Sequence, residues 1–105
     1  MNKYRAKRVE VDGIRFDTRA EARRYGELRL LEAAGTISDL KLQVEYPIYL
    51  KDHYICTYRA DFVYFDREKD EWIIEDVKGV RTQVYRLKKR LVEASYDITI
   101  TEVPA

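Results

Sequence analysis

The sequence predicts one domain of the α/β (α+β) class, in which two helices pack on a mixed sheet. Two segments have the spacing of amphipathic helices, and several others are rich in the β-branched and aromatic residues of strands. No linker or repeat divides the 105 residues, and a chain of this length has room for one modest core. We therefore expect residues 1–105 to form a single domain that begins with a basic arm over residues 1–8.

The expected order of elements is hairpin, helix, three strands, helix and strand. The predicted bounds are as follows: a hairpin with its turn at Asp12-Gly13, a helix from Thr18 to Ala34, a connection over 36–40, strands over 42–46, 54–65 and 72–77, a helix that begins at Thr82, and a last strand over 98–101. Asp-Gly between alternating apolar pairs is a strong signal for a two-residue turn. Pro47 lacks an amide hydrogen, so the strand before it is expected at an edge or an end of the sheet. The spacing of the second helix predicts a buried side made of Val84, Leu87, Leu91 and Ala94.

The composition excludes several classes of protein. Hydrophobic residues make up 46% and charged residues 37%, which is typical of a folded domain with a polar surface. The chain shows no apolar run near the length of a membrane span and no hydrophobic signal region at its N-terminus, so we expect a cytoplasmic protein without a membrane partner. The single cysteine, Cys56, excludes an internal disulfide and a multi-cysteine zinc site.

Charge is distributed unevenly although the net charge is only +1. Residues 30–77 carry eleven acidic and five basic side chains, whereas residues 78–90 carry six basic ones and no acidic one. This pattern suits a site that binds a cation at its centre and phosphates at its rim. Residues 1–29 are basic as well, with nine basic and five acidic side chains, and taken alone the pattern is explained more simply by lysines and arginines that solvate two helices. The candidates for DNA contact are Arg81, Tyr85, Arg86, Lys88 and Lys89.

The segment Glu75-Asp76-Val77-Lys78 is the most informative in the chain. Alternate residues of a strand share a face, so Asp76 and Lys78 project together. The acid could hold a hard cation while the lysine positions a water molecule or stabilises charge on a phosphate. An ordinary ion pair at a strand end would explain the triplet just as simply. Which acid faces the site stays open, although Glu75 falls on the face opposite Lys78.

Asp61 brings a second carboxylate to the same place. A charged turn makes its strand a hairpin partner of the next one, and pairing Phe65 with Trp72 sets Asp61 opposite Asp76 or close to it. Directly opposed side chains have Cβ atoms about 5 Å apart. Two bare carboxylates at that distance repel each other, and a divalent ion that prefers oxygen ligands, Mg²⁺ or Mn²⁺, resolves the conflict. Alternatively, one acid turns to solvent or pairs with Arg59.

Glu21 has two explanations. Thr18-x-x-Glu21 is a capping box, which accounts for the glutamate without any catalysis. Glu21, Tyr25 and Leu28 also follow the i, i+4, i+7 spacing of one helix face, which directs Glu21 inward. A third carboxylate facing the sheet would complete a metal shell. The residues themselves leave both explanations open.

Taken together, Glu21, Asp61 and the Asp76-x-Lys78 triplet resemble the PD-(D/E)xK nuclease superfamily, and the element order is similar to its common core. The resemblance implies a restriction-endonuclease-like core. It also implies that Asp61 and Asp76 bind Mg²⁺ (or Mn²⁺), that Lys78 assists the attacking water, and that Glu21 joins the metal site.

Two longer segments carry a closer resemblance. Gly13–Ala22 and Glu75–Val80 look like a small, uncharacterised phage and prophage family related to Holliday-junction resolvases. One departure is Tyr58-Arg59-Ala60 before Asp61, where the superfamily's name places a proline that many members lack.

The resemblance implies a metal-dependent DNA endonuclease of phage origin, with branched DNA such as Holliday junctions as its expected substrate. One small domain offers one site, so cutting two strands predicts a homodimer. A non-catalytic DNA-binding or nuclease-accessory module of the same fold would carry the same residues and is the main alternative. A ribonuclease H-like fold also clusters carboxylates, but it needs no acid-x-Lys pair and fits the element order poorly.

Overall fold

The structure, a computed structural model, describes residues 8–105. Its elements are β1 (Val9–Val11), β2 (Ile14–Phe16), α1 (Arg19–Ala33), β3 (Ile37–Leu50), β4 (His53–Asp66), β5 (Glu71–Lys78), α2 (Gln83–Tyr96) and β6 (Ile100–Pro104). The predicted order of elements and the α+β class are confirmed. The predicted basic arm over residues 1–8 lies outside the described residues apart from Arg8.

A four-stranded mixed sheet, in the order β3-β4-β5-β6, forms the centre of the fold. The strands from β3 to β5 are antiparallel, and β6 runs parallel to β5 after the α2 crossover. The short strands β1 and β2 pair with each other as a separate hairpin. β3 is an edge strand, as Pro47 predicted, but it continues through the proline to Leu50.

The two helices cover opposite faces of the sheet. On one face, α1 and the β1–β2 hairpin pack on a cluster that includes Phe62, Tyr64 and Val77. On the other, α2 packs on a cluster that includes Val63 and Ile74. Burial on both faces explains why the middle of β5 is an unbroken buried run. Within residues 8–105, neither helix combines the length and apolar content that crossing a bilayer requires.

β4 changes faces at Asp61. Phe62 lies in the α1-side cluster, whereas Ala60, two residues earlier, lies in the α2-side cluster. In a regular strand these two positions would share a face. The neighbouring strand β3 is irregular at the same level, where Gln43 has a left-handed φ of 53°. Asp61 therefore lies at a local twist of the hairpin, which simple alternation does not anticipate.

The buried side of α2 differs from the prediction. The side chains of α2 that meet the sheet are Tyr85, Leu91 and Val92. Val84 and Leu87 are 65% and 57% exposed, and Ala94 is exposed too, so the prediction is wrong for these three. The helix carries two apolar stripes, one through Val84, Leu87 and Leu91 and the other through Tyr85 and Val92. They are offset by one position in the sequence, which is about 100° around the helix axis. Periodicity locates such stripes, but the position of the sheet decides which one is covered.

Two strand boundaries also differ from those predicted. The stretch over 36–40 is mostly the start of β3, paired with the end of β4, rather than a connection. β6 begins at Ile100 instead of Ile98, and it runs to Pro104 because parallel pairing with β5 continues to the Lys78–Pro104 level.

Candidate functional site

The β4–β5 register places Asp61 and Asp76 side by side. Phe65 pairs with Trp72, as predicted, and the ladder ends one pair before the two acids meet. There Asp61 Oδ2 accepts a hydrogen bond of 2.8 Å from the Val77 amide. Asp61 and Asp76 are only 8% and 2% exposed. Two buried carboxyl groups therefore lie together where the two strands separate.

This proximity has an electrostatic consequence. Burial, followed by a hydrogen bond with Asp76 and repulsion from it, raises the pKa of Asp61 to about 8, although the Val77 amide acts in the opposite direction. Two adjacent carboxylates in a buried place resist carrying two charges at once. A proton on Asp61 relieves the repulsion, and a divalent cation would relieve it as well.

Lys78 lies on the same side of β5 as Asp76, as predicted. Its Nζ is 3.6 Å from Asp76 Oδ1, and its side chain remains 28% exposed. The ammonium group also lies 4.4 Å from the centre of the Tyr85 ring, which is a cation–π distance. The Tyr85 hydroxyl in turn donates to Glu102 Oε2 at 2.9 Å. Lys78 is thus held between a carboxylate and an aromatic face, with one side open to solvent.

Glu21 contributes to the cluster from α1. Its backbone amide donates to Thr18 Oγ1 at 3.1 Å, which confirms the predicted N-cap. The return bond of a capping box, from the Glu21 carboxylate to the Thr18 amide, is not among the hydrogen bonds of residues 8–105. Burial raises the pKa of Glu21, and repulsion from the charges of Asp17 and Asp76 raises it further, whereas attraction to Lys78 lowers it. Its carboxylate is therefore within electrostatic range of the other site residues.

Tyr58 completes the cluster and was not predicted. This 3% exposed side chain donates a hydrogen bond to Asp76 Oδ2. Burial and this hydrogen bond raise the pKa of Tyr58, so its hydroxyl stays a donor across the physiological range. Nothing in the local sequence separates it from the eight other tyrosines. Its position on the face that α2 covers could be recognised only once the twist at Asp61 was known.

Glu75 belongs to the opposite face, which settles the choice between the two adjacent acids. Arg24 Nε and one terminal nitrogen donate to its two carboxylate oxygens at 2.8 and 2.6 Å. Tyr64 donates to it as well, and Glu75 is only 1% exposed. This two-pronged ion pair ties α1 to the central strand. Asp76 is therefore the acid that faces Asp61 and Lys78.

The possible metal ligands are the carboxylates of Glu21, Asp61 and Asp76, and oxygen ligands suit a hard divalent cation. Lys78 alone does not balance the charge of the Asp61–Asp76 pair when both groups are ionised. In the part of the chain that the structure describes, however, no three His, Cys, Asp or Glu side chains are arranged to hold a metal as they stand. Tyr58 and Lys78 already contact Asp76. Coordination by Glu21, Asp61 and Asp76 would therefore require these side chains to rearrange.

A cleft of about 340 Å³ opens in front of Asp76 and Lys78. Its walls are the β3–β4 hairpin and the first half of α2, and Lys88 Nζ joins them by donating to the Thr57 carbonyl at 3.3 Å. The lining residues are Glu45, Thr57, Tyr58, Arg59, Asp76, Lys78, Thr82, Val84, Tyr85 and Lys88. Asp61 lies behind this surface, next to Asp76. The cleft thus brings the carboxylates of Glu45 and Asp76 together with the cationic groups of Arg59, Lys78 and Lys88.

The predicted DNA contacts are only partly gathered at this cleft. Lys88 lines it, and Tyr85 lines it as a 9% exposed residue beneath Lys78, not as a surface group. Arg81 Nε pairs with Glu102 Oε1 at 2.9 Å, and Lys89 pairs with Glu93 at 3.1 Å. Arg86 is exposed outside the lining. Arg59, which was considered only as an ion-pair partner of Asp61, instead lines the cleft.

Fold and site together define a mixed α+β protein with a buried carboxylate cluster and a lysine at the end of its central strands. The chain belongs to the family described as "Protein of unknown function (DUF1064)", whose family model matches residues 1–103. No curated protein and no solved structure matches the chain.

Proposed function

We propose that this protein is a metal-dependent endonuclease that hydrolyses phosphodiester bonds in DNA. The observation that carries the proposal is the group of Asp61, Asp76 and Lys78. Two buried carboxyl groups compete for one positive charge, and an ammonium group 3.6 Å from Asp76 faces an open cleft. Phosphodiester hydrolysis needs these components, a place for a hard cation and a group that stabilises negative charge. The resemblance to the PD-(D/E)xK superfamily and its restriction-endonuclease-like core supports the same assignment.

Each residue then has a separate task. Asp61, Asp76 and Glu21 would hold Mg²⁺ or Mn²⁺, which supplies a Lewis acid and an activated water when bound. Lys78 orients the attacking water or stabilises charge on the phosphate. Tyr58 fixes the Asp76 carboxylate by donating to Oδ2.

The proposal extends to the substrate and to the assembly of the protein. Branched DNA such as a Holliday junction is proposed from the resemblance alone, as is action in the bacterial cytoplasm as a phage-derived protein. We propose a homodimer because residues 8–105 form one such cleft, and cutting two strands calls for two sites related by symmetry. Sedimentation velocity with and without a four-way junction measures this assembly directly.

A second candidate is a non-catalytic DNA-binding or nuclease-accessory module of the same fold. The observation that favours it is the state of Asp76, which already contacts Tyr58 and Lys78. If these contacts persist in solution, Asp76 has little capacity left for a metal, and the basic walls of the cleft would serve binding alone.

One experiment separates the two candidates. The purified protein is incubated with plasmid, linear duplex and a synthetic four-way junction in Mg²⁺, Mn²⁺ or EDTA. Lys78→Ala is compared with Lys69→Ala, a matched control at an exposed turn between β4 and β5. Metal-dependent cleavage that Lys78→Ala loses and Lys69→Ala keeps supports the endonuclease. Binding without cleavage in every metal supports the module.

A further inference from the structure

The β3–β4 hairpin ends in an exposed apolar tip. Tyr49, Leu50, Tyr54 and Ile55 are between 52% and 67% exposed, and they surround the turn of a single hairpin. Scattered apolar residues on a surface are ordinary, but four large ones together indicate a contact surface.

The tip is continuous with the cleft. The Tyr54 hydroxyl lies 2.7 Å from Thr57 Oγ1, and Thr57 lines the cleft. Tyr49 pairs with Tyr54 across the hairpin, and their rings meet edge to face with centroids 5.9 Å apart. An aromatic pair therefore stands directly beside the wall of the candidate site.

A bulge creates this arrangement. Ile48 pairs with Cys56 but Tyr49 pairs with Tyr54, so Ile55 is an extra residue in β4. Residues three apart on a regular strand point to opposite faces, and one extra residue returns Tyr54 to the face of Thr57. The direction of the aromatic pair is thus built into the backbone of the hairpin.

Two observations favour nucleic acid over a second copy of the chain as the occupant of the tip. The four side chains expose on the order of a few hundred Å² of apolar surface, which is well below the roughly 800 Å² per partner of a stable protein interface. Arg59, on the same hairpin and in the cleft wall, makes no ion pair with any residue of 8–105. Arg59 pairs with Glu45 in the β3–β4 register, and Arg59, Lys78 and Lys88 together bring three cationic groups to the cleft lining. Such a lining suits a strand with a phosphate at each nucleotide.

We propose that Tyr49 and Tyr54 form a stacking platform for an unpaired base, whose strand passes Arg59 into the cleft. The inference rests on the proposed function and narrows its substrate. Aromatic side chains stack on bases whose faces are free, and the interior of a continuous duplex offers none. The substrate is therefore DNA with unstacked bases beside the cut. Single strands and branch points share this chemistry.

Fluorescence of 2-aminopurine tests the platform without requiring cleavage. The base analogue is placed in a single strand, at the centre of a four-way junction and inside a continuous duplex, and the wild-type protein is added in EDTA. Stacking on tyrosine quenches the unpaired analogue, so we expect quenching in the single strand, at the junction centre, or in both. The fluorescence inside the duplex should stay unchanged.

Variants assign this signal to the tip. Tyr49→Ala with Tyr54→Ala should remove the quenching and weaken binding roughly tenfold. Tyr49→Phe with Tyr54→Phe should keep both, because the rings remain. Leu30→Ala removes an equally exposed apolar side chain from α1 and serves as the control, with no change expected.

The outcomes are distinct from those of the proposed function. If the alanine pair quenches and binds like the wild type, the platform is overturned, whether or not the wild type cleaves a junction in Mg²⁺. Quenching that depends on the rings supports the platform even where no metal produces cleavage. A tip substitution that changes the sedimentation coefficient but not DNA binding identifies a second copy as the occupant and also overturns the proposal.

Discussion

Asp61 and Asp76 lie side by side at the point where the β4–β5 ladder ends, and Asp61 Oδ2 accepts a hydrogen bond from the Val77 amide there. The end of the ladder and the carboxyl pair are thus one structural feature. The Asp61 side chain satisfies the Val77 amide of β5 at the level where β4 changes faces. Stability and metal binding should both report on this pair.

The first prediction concerns the pH dependence of stability. The pKa of Asp61 is raised to about 8 in the fold, above its ordinary value near 4. The native state therefore binds more protons between these values, and the stabilisation present below pH 4 is lost as the pH rises through 8. Without metal, urea unfolding should give a free energy that falls over this interval, by an amount on the order of a few kcal/mol.

Asp61→Asn should remove this part of the slope, because the amide carries no proton to lose. Asp66→Asn, at the less buried end of β4, is the matched control and should leave the slope as it is. An unchanged slope in Asp61→Asn would show that another group titrates.

The second prediction concerns Mg²⁺. A cation bound by Asp61 and Asp76 competes with the proton on Asp61, so its apparent affinity should fall by up to about tenfold for each unit by which the pH is lowered below 8. Thermal unfolding with increasing Mg²⁺ measures this as a larger increase in Tm at pH 8 than at pH 6. Asp76→Asn should abolish the increase. A Tm that responds equally to Mg²⁺ in the variant would place the ion elsewhere.

The third prediction concerns Tyr58. Tyr58→Phe leaves the buried Asp76 Oδ2 without its hydroxyl donor and should cost about 1–3 kcal/mol in the free energy of unfolding. If the protein cleaves DNA, kcat should fall more than KM changes, because the Asp76 carboxylate, a proposed metal ligand, loses its orientation. Tyr46→Phe is the control, since Tyr46 is half-buried beside Tyr58 through ring contact. Equal effects of the two substitutions would mean that Tyr58 acts only by packing.

The fourth prediction concerns the ion pair behind the site. Arg24→Gln leaves the buried Glu75 carboxylate without its guanidinium partner and should cost roughly 3–5 kcal/mol in stability. Arg29→Gln on the same helix removes an exposed arginine 3.4 Å from Glu32 and should cost less than about 1 kcal/mol. Chemical denaturation of both variants measures the difference. Similar small losses would show that the Arg24–Glu75 pair does not hold α1 to β5.

Local chemistry made much of the fold predictable. Thr18 and Thr82 cap their helices because a hydroxyl can satisfy free amides at a helix start, and each accepts the expected hydrogen bond. The pairing of Phe65 with Trp72 followed from one short charged turn, which leaves little freedom of register. The approach of Asp61 to Asp76 followed from that register.

What the sequence determined by itself was therefore what depends on neighbours along the chain: the helix starts, the β4–β5 register, and the pairing of Asp76 with Lys78 on one face. Only the tertiary structure decided that Tyr58 contacts Asp76, that Glu75 binds Arg24, and which apolar stripe of α2 is covered. These depend on the twist of β4 at Asp61 and on the position of the helices over the sheet. Both the twist and the helix positions are set by packing between segments that are distant in sequence, so a short-range sequence pattern does not predict them.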